Sequence, residues 1–512
     1  MENKLLFTNV KLYDGSGNAP FMADVAVVGD TIVEVKNCGE IVPDGYIVID
    51  GGGLDLTPGF IDCHTHSDIN CVNVPGGDSK IAQGVTTEVT GNCGVSYYIG
   101  NAKNSEKYKH IYGSFSAYAD LVTQTRPAVN TAGLCGFNSL RIAVMGYENR
   151  PATDKEISQM QALLAEALEQ GAAGFSSGLY YIPGKFASTE EVARVASVLK
   201  GTGKPYTTHI RSEGNQLIES IEEAITIARA ADNNLQISHL KTEGPENWHK
   251  LDKVIELIEE AQKSGMDLMI DRYPYVYSAT IINCVLPAPF DVVDADTLAK
   301  KFQESDEYCR AAEKALKENG KYDLSRILLV KTNTVEYQQY YGCSMVEIGQ
   351  QLNMTPEAVV VDLIKRGYDV RAAYGTMSEE NLDRILAKPY AILGSDGSIF
   401  AFDDNSTHPR AFGTTPGFFR IASKFADYAQ VVRRMTALPA QKFNLAKRGL
   451  VAPGYMADLV LLDLDKYHCK ADFRCPNQKA QGVKSVYVNG KLAYSDDPSA
   501  ATCRNGRMLL VK

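Results

Sequence analysis

Long apolar runs, dense basic clusters and paired cysteines are all missing from this chain. No apolar stretch reaches bilayer-spanning length. The opening residues, MENKLLFTNVKLYDGSG, lack the basic start and apolar core of a secretory signal. The 52 Lys and Arg are scattered among 62 Asp and Glu, a net charge of -10, which offers nothing for nucleic acid or an anionic membrane to grip. The 11 cysteines are odd in number and irregular in spacing, with no CxxC pair. The expectation is a reduced, cytoplasmic chain.

What is present is ordinary globular composition. The 512 residues are 45% hydrophobic and 22% charged, enough for one large core and a second smaller one. Both ends read as short alternating strands: KLLFTNVKLYD, MADVAVVGDTIVEV and GYIVIDGGG at the start, GYMADLVLLDLD, VKSVYVNGKLAY and GRMLLVK at the finish. Neither end has enough strands to cover a core alone. Residues 1–57 plus 450–512 are therefore expected to form one small β-sandwich domain built from both termini.

Between them, residues 58–449 alternate β and α. Eight apolar runs end in polar residues: GFIDCHTH, TTEVTGNCG, NTAGLCGFN, GAAGFSSGL, PYTTHIRSEG, LQISHLKTEG, MDLMIDRYPY and YAILGSDGS. Helical stretches lie between several of them, two opening with the capping pairs Thr153/Glu156 and Ser188/Glu191. This alternation predicts a closed (β/α)8 TIM-like barrel, with a doubly wound open sheet as the structural alternative. Residues 278–327 break the rhythm and are too long for an ordinary connection, so they read as a lid over the barrel mouth or a plain surface insertion.

The chemistry-bearing residues cluster at predicted strand ends. Four of the eight histidines sit there: His64 and His66 in CHTHSD, His209 in TTHIR and His239 in ISHLK. Asp396 ends the eighth run in LGSDGS. In a barrel such ends share one mouth, and the HxH spacing sends His64 and His66 to the same side. Imidazoles with a carboxylate suit zinc. His110, His249 and His468 lie in polar stretches and read as solvated; His408, in the loop STHPRAFGT, reads as a loop brace. Cys93 in GVTTEVTGNCGVS is by itself core filler, nucleophile or ligand.

TPGFIDCHTHSD, the later single histidines and GSDG together resemble the metal-dependent amidohydrolase superfamily. Many of its members carry a metal-bridging carboxylated lysine on strand four. Here that strand reads GAAGFSSGLYYIPG, with Ser176 and Ser177 and no lysine. The segments TTEVTGNCG, SSGLYYIPG, THIRSEG, SHLK, DRYPY, MSEEN, GSDG and HPRAFGT resemble, in order, the N-acyl-D-amino-acid deacylase (D-aminoacylase) family. That resemblance, which spans nearly the whole chain, implies a cysteine in place of the lysine. Cys93, His209 and His239 would then hold a tight Zn2+, with His64, His66 and Asp396 around a weaker or empty second position. It implies hydrolysis of the amide bond of an N-acyl-D-amino acid, with zinc activating water and Asp396 moving the proton. It also assigns the substrate carboxylate to Lys241, Arg410 and Tyr275.

Two positions depart from the family pattern: Phe137 and Leu240 stand where members often have histidine. Phe137 is expected to face the mouth and reshape the substrate pocket. Glu213, four residues after His209, keeps a deaminase reading open, while the missing lysine weighs against opening of cyclic amides. The oligomeric state is not legible in the sequence.

Overall fold

A computed structural model describes residues 3–99, 113–367 and 370–512; His110 lies outside them. The N-terminal alternation folds into β1 (Lys4–Leu12), β2 (Phe21–Val28), β3 (Thr31–Asn37), β4 (Ile47–Asp50) and β5 (Asp55–Pro58). The first three form an antiparallel meander, while β4 and β5 pair successive parts of β1 in parallel.

Seven barrel strands follow: β6 (Phe60–Asp62), β7 (Val85–Thr90), β8 (Asn130–Gly133) continuing into β9 (Cys135–Gly136), β10 (Phe175–Gly178), β11 (Tyr206–His209), β12 (Asn234–Ile237) and β13 (Asp267–Arg272). Each pairs the next in parallel. The chain then leaves the barrel through β14 (Ser278–Ile281), β15 (Ile327–Lys331) and β16 (Arg371–Tyr374), and returns as β17 (Ala391–Leu393) beside β13. Cys63 N–H donates to Leu393 O (3.0 Å) and Asp396 N–H to His64 O (2.8 Å), closing strand eight onto strand one. The closed barrel thus replaces the open-sheet alternative.

The connecting helices form for local reasons. Thr153 and Glu156 make a reciprocal capping box at the start of Asp154–Glu169. Ser188 caps Thr189–Ala196, but Glu191 does not reach back; its buried carboxylate pairs Arg141 instead. The helices bury Leu164, Val192, Ile221 and Val254 against the strands. This jacket is the largest apolar core and holds the strand ends in place.

The segment outside the barrel rhythm runs further than expected, as far as Tyr374. β14, β16 and β15 form an antiparallel sheet. The helices Ala295–Glu304 and Pro356–Arg366 cover it and share a separate core containing Phe302, Ile348 and Val360. Residues beyond 327 belong to this unit because Leu329 and Ala372 are cross-strand neighbours in that core.

The C-terminal strands β18 (Leu459–Leu462), β19 (Val483–Val488) and β20 (Lys491–Ser495) join the N-terminal ones through an antiparallel β18–β5 pairing. The sheet order is β20-β19-β18-β5-β1-β2-β3. Ile32 N–H donates to Tyr455 O and Gly454 N–H to Ile32 O, both 2.8 Å, tying β3 to the turn before β18 around Phe7, Val25, Leu56 and Leu459. GRMLLVK is the exception to the expected β-domain. Met508 bridges Thr131, and Leu509 and Val511 pack with Ile61, Val89 and Ile392 across the floor of the barrel. Apolar alternation marks a buried extended segment but not which core receives it.

Candidate metal centre

The expected strand-end residues meet at the barrel mouth. Beyond β6, Thr65 bridges Gly397 and His66 N–H donates to Gly397 O (2.9 Å), so the HxH segment runs beside the continuation of β17. That places Asp396 Oδ1 3.1 Å from His66 Nε2 and 3.5 Å from His64 Nε2. His209 closes β11, and His239 follows β12 by two residues. Cys93 lies in the turn after β7, its Sγ 3.3 Å from His64 Nε2 and 3.6 Å from His239 Nε2.

Two ligand groups result, His64/His66/Cys93/Asp396 and Cys93/His209/His239, the donor atoms within each lying within 4.8 Å of one another. Cys93 belongs to both. The strand-four serines are turned to other partners: Ser176 Oγ donates to Gly91 O, and Ser177 Oγ sits 2.6 Å from Tyr206 Oη.

The backbone is held in unusual conformations to achieve this. Cys93 (φ 52°), His239 (φ 34°) and Asp396 (φ 50°) all sit in the left-handed region, uncommon for residues other than glycine. Gly94 beside Cys93 also has positive φ (76°), and a Cβ there would collide with Asn138 Oδ1 and the Gly178 backbone nitrogen. The turn GNCG therefore delivers the thiol so close to β10 and the helix Phe137–Met145 that position 94 has no room for a side chain.

Burial opposes charge throughout the cluster, and mutual attraction overrides it. Burial pushes the Cys93 thiol up, yet His64, His209 and His239 together hold it well below its ordinary value. Burial likewise disfavours charge on His66, but Asp396 and Cys93 raise it to about 9. Burial would raise Asp396; Arg410 and the imidazoles hold it well below the usual carboxylate range. His209 is the exception, lowered chiefly by burial, and neither ring nitrogen has a hydrogen-bond partner. A soft thiolate, clustered imidazoles and an unsatisfied buried ring nitrogen fit zinc.

Three residues outside the expected set complete the centre. Asp271 near the end of β13 accepts the His239 N–H (2.7 Å) and Gln236 Nε2–H (3.0 Å), with Oδ1 3.0 Å from His64 Nδ1. Glu213 meets Lys241 Nζ and lies 3.1 Å from His239 Nδ1. Below them, the buried Lys80 ammonium donates to Asp62 Oδ2 and Ser395 Oγ (both 2.7 Å) and sits 3.3 Å from Glu88, joining β6, β7 and the turn that carries Asp396. Asp271 stands within the DRYPY segment, its only sequence signal, while Glu213, within THIRSEG, was marked by its spacing from His209 but not for this role.

The expected substrate contacts are divided. Arg410 Nη1 pairs Asp396 Oδ2 at 2.7 Å. Arg410 lines, with His66, Cys93, Asp396 and Tyr181, a cavity of about 400 Å³, roofed by Thr280 and Ile281 of β14. That volume suits a small molecule. Lys241 is buried at a smaller enclosed space with His209, His239 and Tyr181. Tyr275 does not reach the main cavity: its hydroxyl faces Pro409 O (3.4 Å) and its ring meets His408 edge-on. His408 braces this loop, Nδ1 accepting the Arg410 N–H (2.9 Å) and Nε2 lying 3.1 Å from Tyr277 O.

Phe137 and Leu240 do not face the mouth. The chain enters the helix Phe137–Met145 directly after β9, which turns the Phe137 ring into the main core, edge-on to Phe175. Leu240 packs into the same core. The expected reshaping of the pocket by Phe137 falls with that geometry.

Comparison with known proteins gives a consistent result. The Amidohydrolase family matches residues 47–494. An N-acyl-D-aspartate deacylase of Alcaligenes xylosoxydans xylosoxydans is 32% identical, the alignment covering 98% of this chain and 94% of the relative. The crystal structure of an N-acyl-D-glutamate deacylase from Bordetella bronchiseptica, complexed with zinc and a phosphonate mimic of the tetrahedral intermediate, aligns at TM-score 0.83 with 27% identity and full coverage of both chains. A D-aminoacylase structure with a binuclear metal center aligns at TM-score 0.81 with 34% identity over 99% of each chain.

Proposed function

Because this chain belongs to the amidohydrolase family, and because its mouth offers a thiolate shared between two imidazole groups, we propose that it is a zinc-dependent N-acyl-D-amino-acid deacylase, cleaving the amide to a carboxylate and a free D-amino acid. The shared position of Cys93 carries the reading. It joins both groups from the turn after β7 while β10 carries no lysine, and relatives with this overall architecture are named for deacylation of N-acyl-D-amino acids.

In this reading Cys93, His209 and His239 hold the tighter zinc, and His64, His66 and Asp396 surround a second, weaker position. Zinc held there supplies Lewis acidity toward water and toward an amide carbonyl. The chain's own groups do the rest. Asp396 is the proton carrier: its Oδ1 faces the imidazoles, its other oxygen is anchored by Arg410, and it stands ionised, the form that can take a proton. The departing amine is where that proton goes. Lys241 and Arg410 supply positive charge for the substrate carboxylate, and Thr280 and Ile281 of β14 line the cavity. A reducing, cytoplasmic compartment suits the 11 free thiols.

Deamination is disfavoured by Glu213. A proton shuttle needs a carboxylate open to the substrate, and Glu213 is already shared by Lys241 and His239. The test is direct: incubate zinc-loaded protein with paired N-acetyl-D- and N-acetyl-L-amino acids and assay free amine. Turnover of the D series supports the proposal. Turnover of the L series alone, or ammonia release from a heterocycle in its place, refutes it.

A further inference from the structure

One oxygen of Glu213 touches both halves of the proposed site. Oε1 lies 3.1 Å from Nδ1 of the ligand His239 and is bonded to Nζ of Lys241, while Oε2 lies 3.6 Å from Nε2 of His209. All four side chains are buried, so solvent cannot substitute for any contact. The segment that delivers Glu213 is fixed from two sides: Glu243 N–H donates to Glu213 O (2.7 Å), and Ser212 N–H donates to Ser220 Oγ (3.0 Å).

A ligating imidazole needs its second nitrogen protonated and aimed at an acceptor, which fixes both tautomer and ring angle. Among the described residues, the acceptor facing His239 Nδ1 is Glu213; Lys241 Nζ, 2.8 Å from the same nitrogen, is a donor and cannot serve. The ammonium of Lys241 in turn has Glu213 as its counter-charge. Resting on the deacylase reading, we infer that Glu213 is a positioning residue that sets the His239 ring for metal and holds Lys241 for the substrate carboxylate through the same oxygen.

The account predicts two separable losses. Glu213→Gln removes the charge that orients His239, so zinc affinity, measured by competition with a chromogenic chelator, falls roughly 10- to 100-fold. KM for the N-acetyl-D-amino acid rises as well, because Lys241 loses its anchor. Glu213→Gln leaves a buried ammonium uncompensated and can unfold the chain, so Lys241→Met and the double variant Glu213→Gln/Lys241→Met are measured beside it. Lys241→Met should bind zinc like the parent and raise KM. The double variant, free of the stranded charge, should bind zinc 10- to 100-fold more weakly than Lys241→Met, with no KM increase beyond the single variant. Equal zinc affinity in the double variant and in Lys241→Met overturns the inference. Because zinc affinity is read without substrate, a parent protein that binds zinc but ignores N-acyl-D-amino acids refutes the function and leaves this test standing.

Discussion

At the mouth of the barrel, Cys93, His239 and Asp396 hold positive φ, and His209 is buried with no hydrogen bond to either ring nitrogen, Glu213 lying 3.6 Å from one of them. At the floor of the same eight strands, Leu509 and Val511 pack into an apolar layer, and a buried cation, Lys204, donates to three carbonyls: Leu168, Ala172 and Val511. Left-handed residues other than glycine cost on the order of 1–3 kcal/mol each, as does a buried polar atom without a partner. At the mouth these costs fall on the would-be metal ligands themselves; near the floor, positive φ falls on turn residues such as Asp232 and Asn233. The difference teaches where each end's residues act: at the mouth the strained and unmet groups are the ones that would hold a ligand, and the floor supplies the stability that keeps them there.

Breaking the mouth should change rate and leave folding intact. Asp396→Asn keeps the shape but abolishes proton transfer, and turnover should fall about 10²- to 10⁴-fold, with zinc still bound at Cys93, His209 and His239. Loss of zinc alongside turnover would show that Asp396 is needed for the tighter metal. Breaking the floor should do the reverse. Deleting residues 507–512 exposes the apolar layer and removes one acceptor of Lys204. Stability should drop by about 2–5 kcal/mol in urea titrations, with kcat of the remaining folded enzyme unchanged. An altered kcat would mean that the two ends are coupled.

The layer between them tests where the division falls. Burial raises Glu88 from 4.5 to about 7, against the pull of Lys80. Between those pH values the folded chain binds the proton that the unfolded chain has released, so stability declines as pH rises through that window. Each unit is worth about 1.4 kcal/mol, so the decline is at most about 3.5 kcal/mol. Glu88→Gln should flatten this part of the stability–pH curve; an unchanged slope would assign the decline to another group. The smallest effect is expected at Phe137→His. It places an imidazole in the apolar jacket and should cost about 1–3 kcal/mol, leaving the order of preferred substrates as in the parent. A changed order would return Phe137 to the pocket.

Much of this contrast was legible in the sequence because it is written locally. A strand ending in His, Cys or Asp advertises itself, and five such endings among eight runs in βα rhythm imply a shared mouth. Partnerships between distant segments are not written that way. Asp271 meets His64 and Glu213 meets Lys241 only once the barrel has closed. Lys80 sits in the one-turn helix Asp78–Ile81, where nothing local distinguishes it from a surface lysine. Tyr275 and Phe137 were misplaced because their direction depends on the turn after the strand: Phe137 is swung into the core by the helix that begins at it. GRMLLVK has the alternation of a sheet strand and found a different apolar surface.

Everything at the mouth converges on one sulfur, and the direct measurement is the metal content and activity of Cys93→Ala, with its melting temperature as the folding control. The account predicts a folded protein that has lost both bound zinc and turnover of N-acetyl-D-amino acids. Full zinc content with full activity in that variant would contradict it.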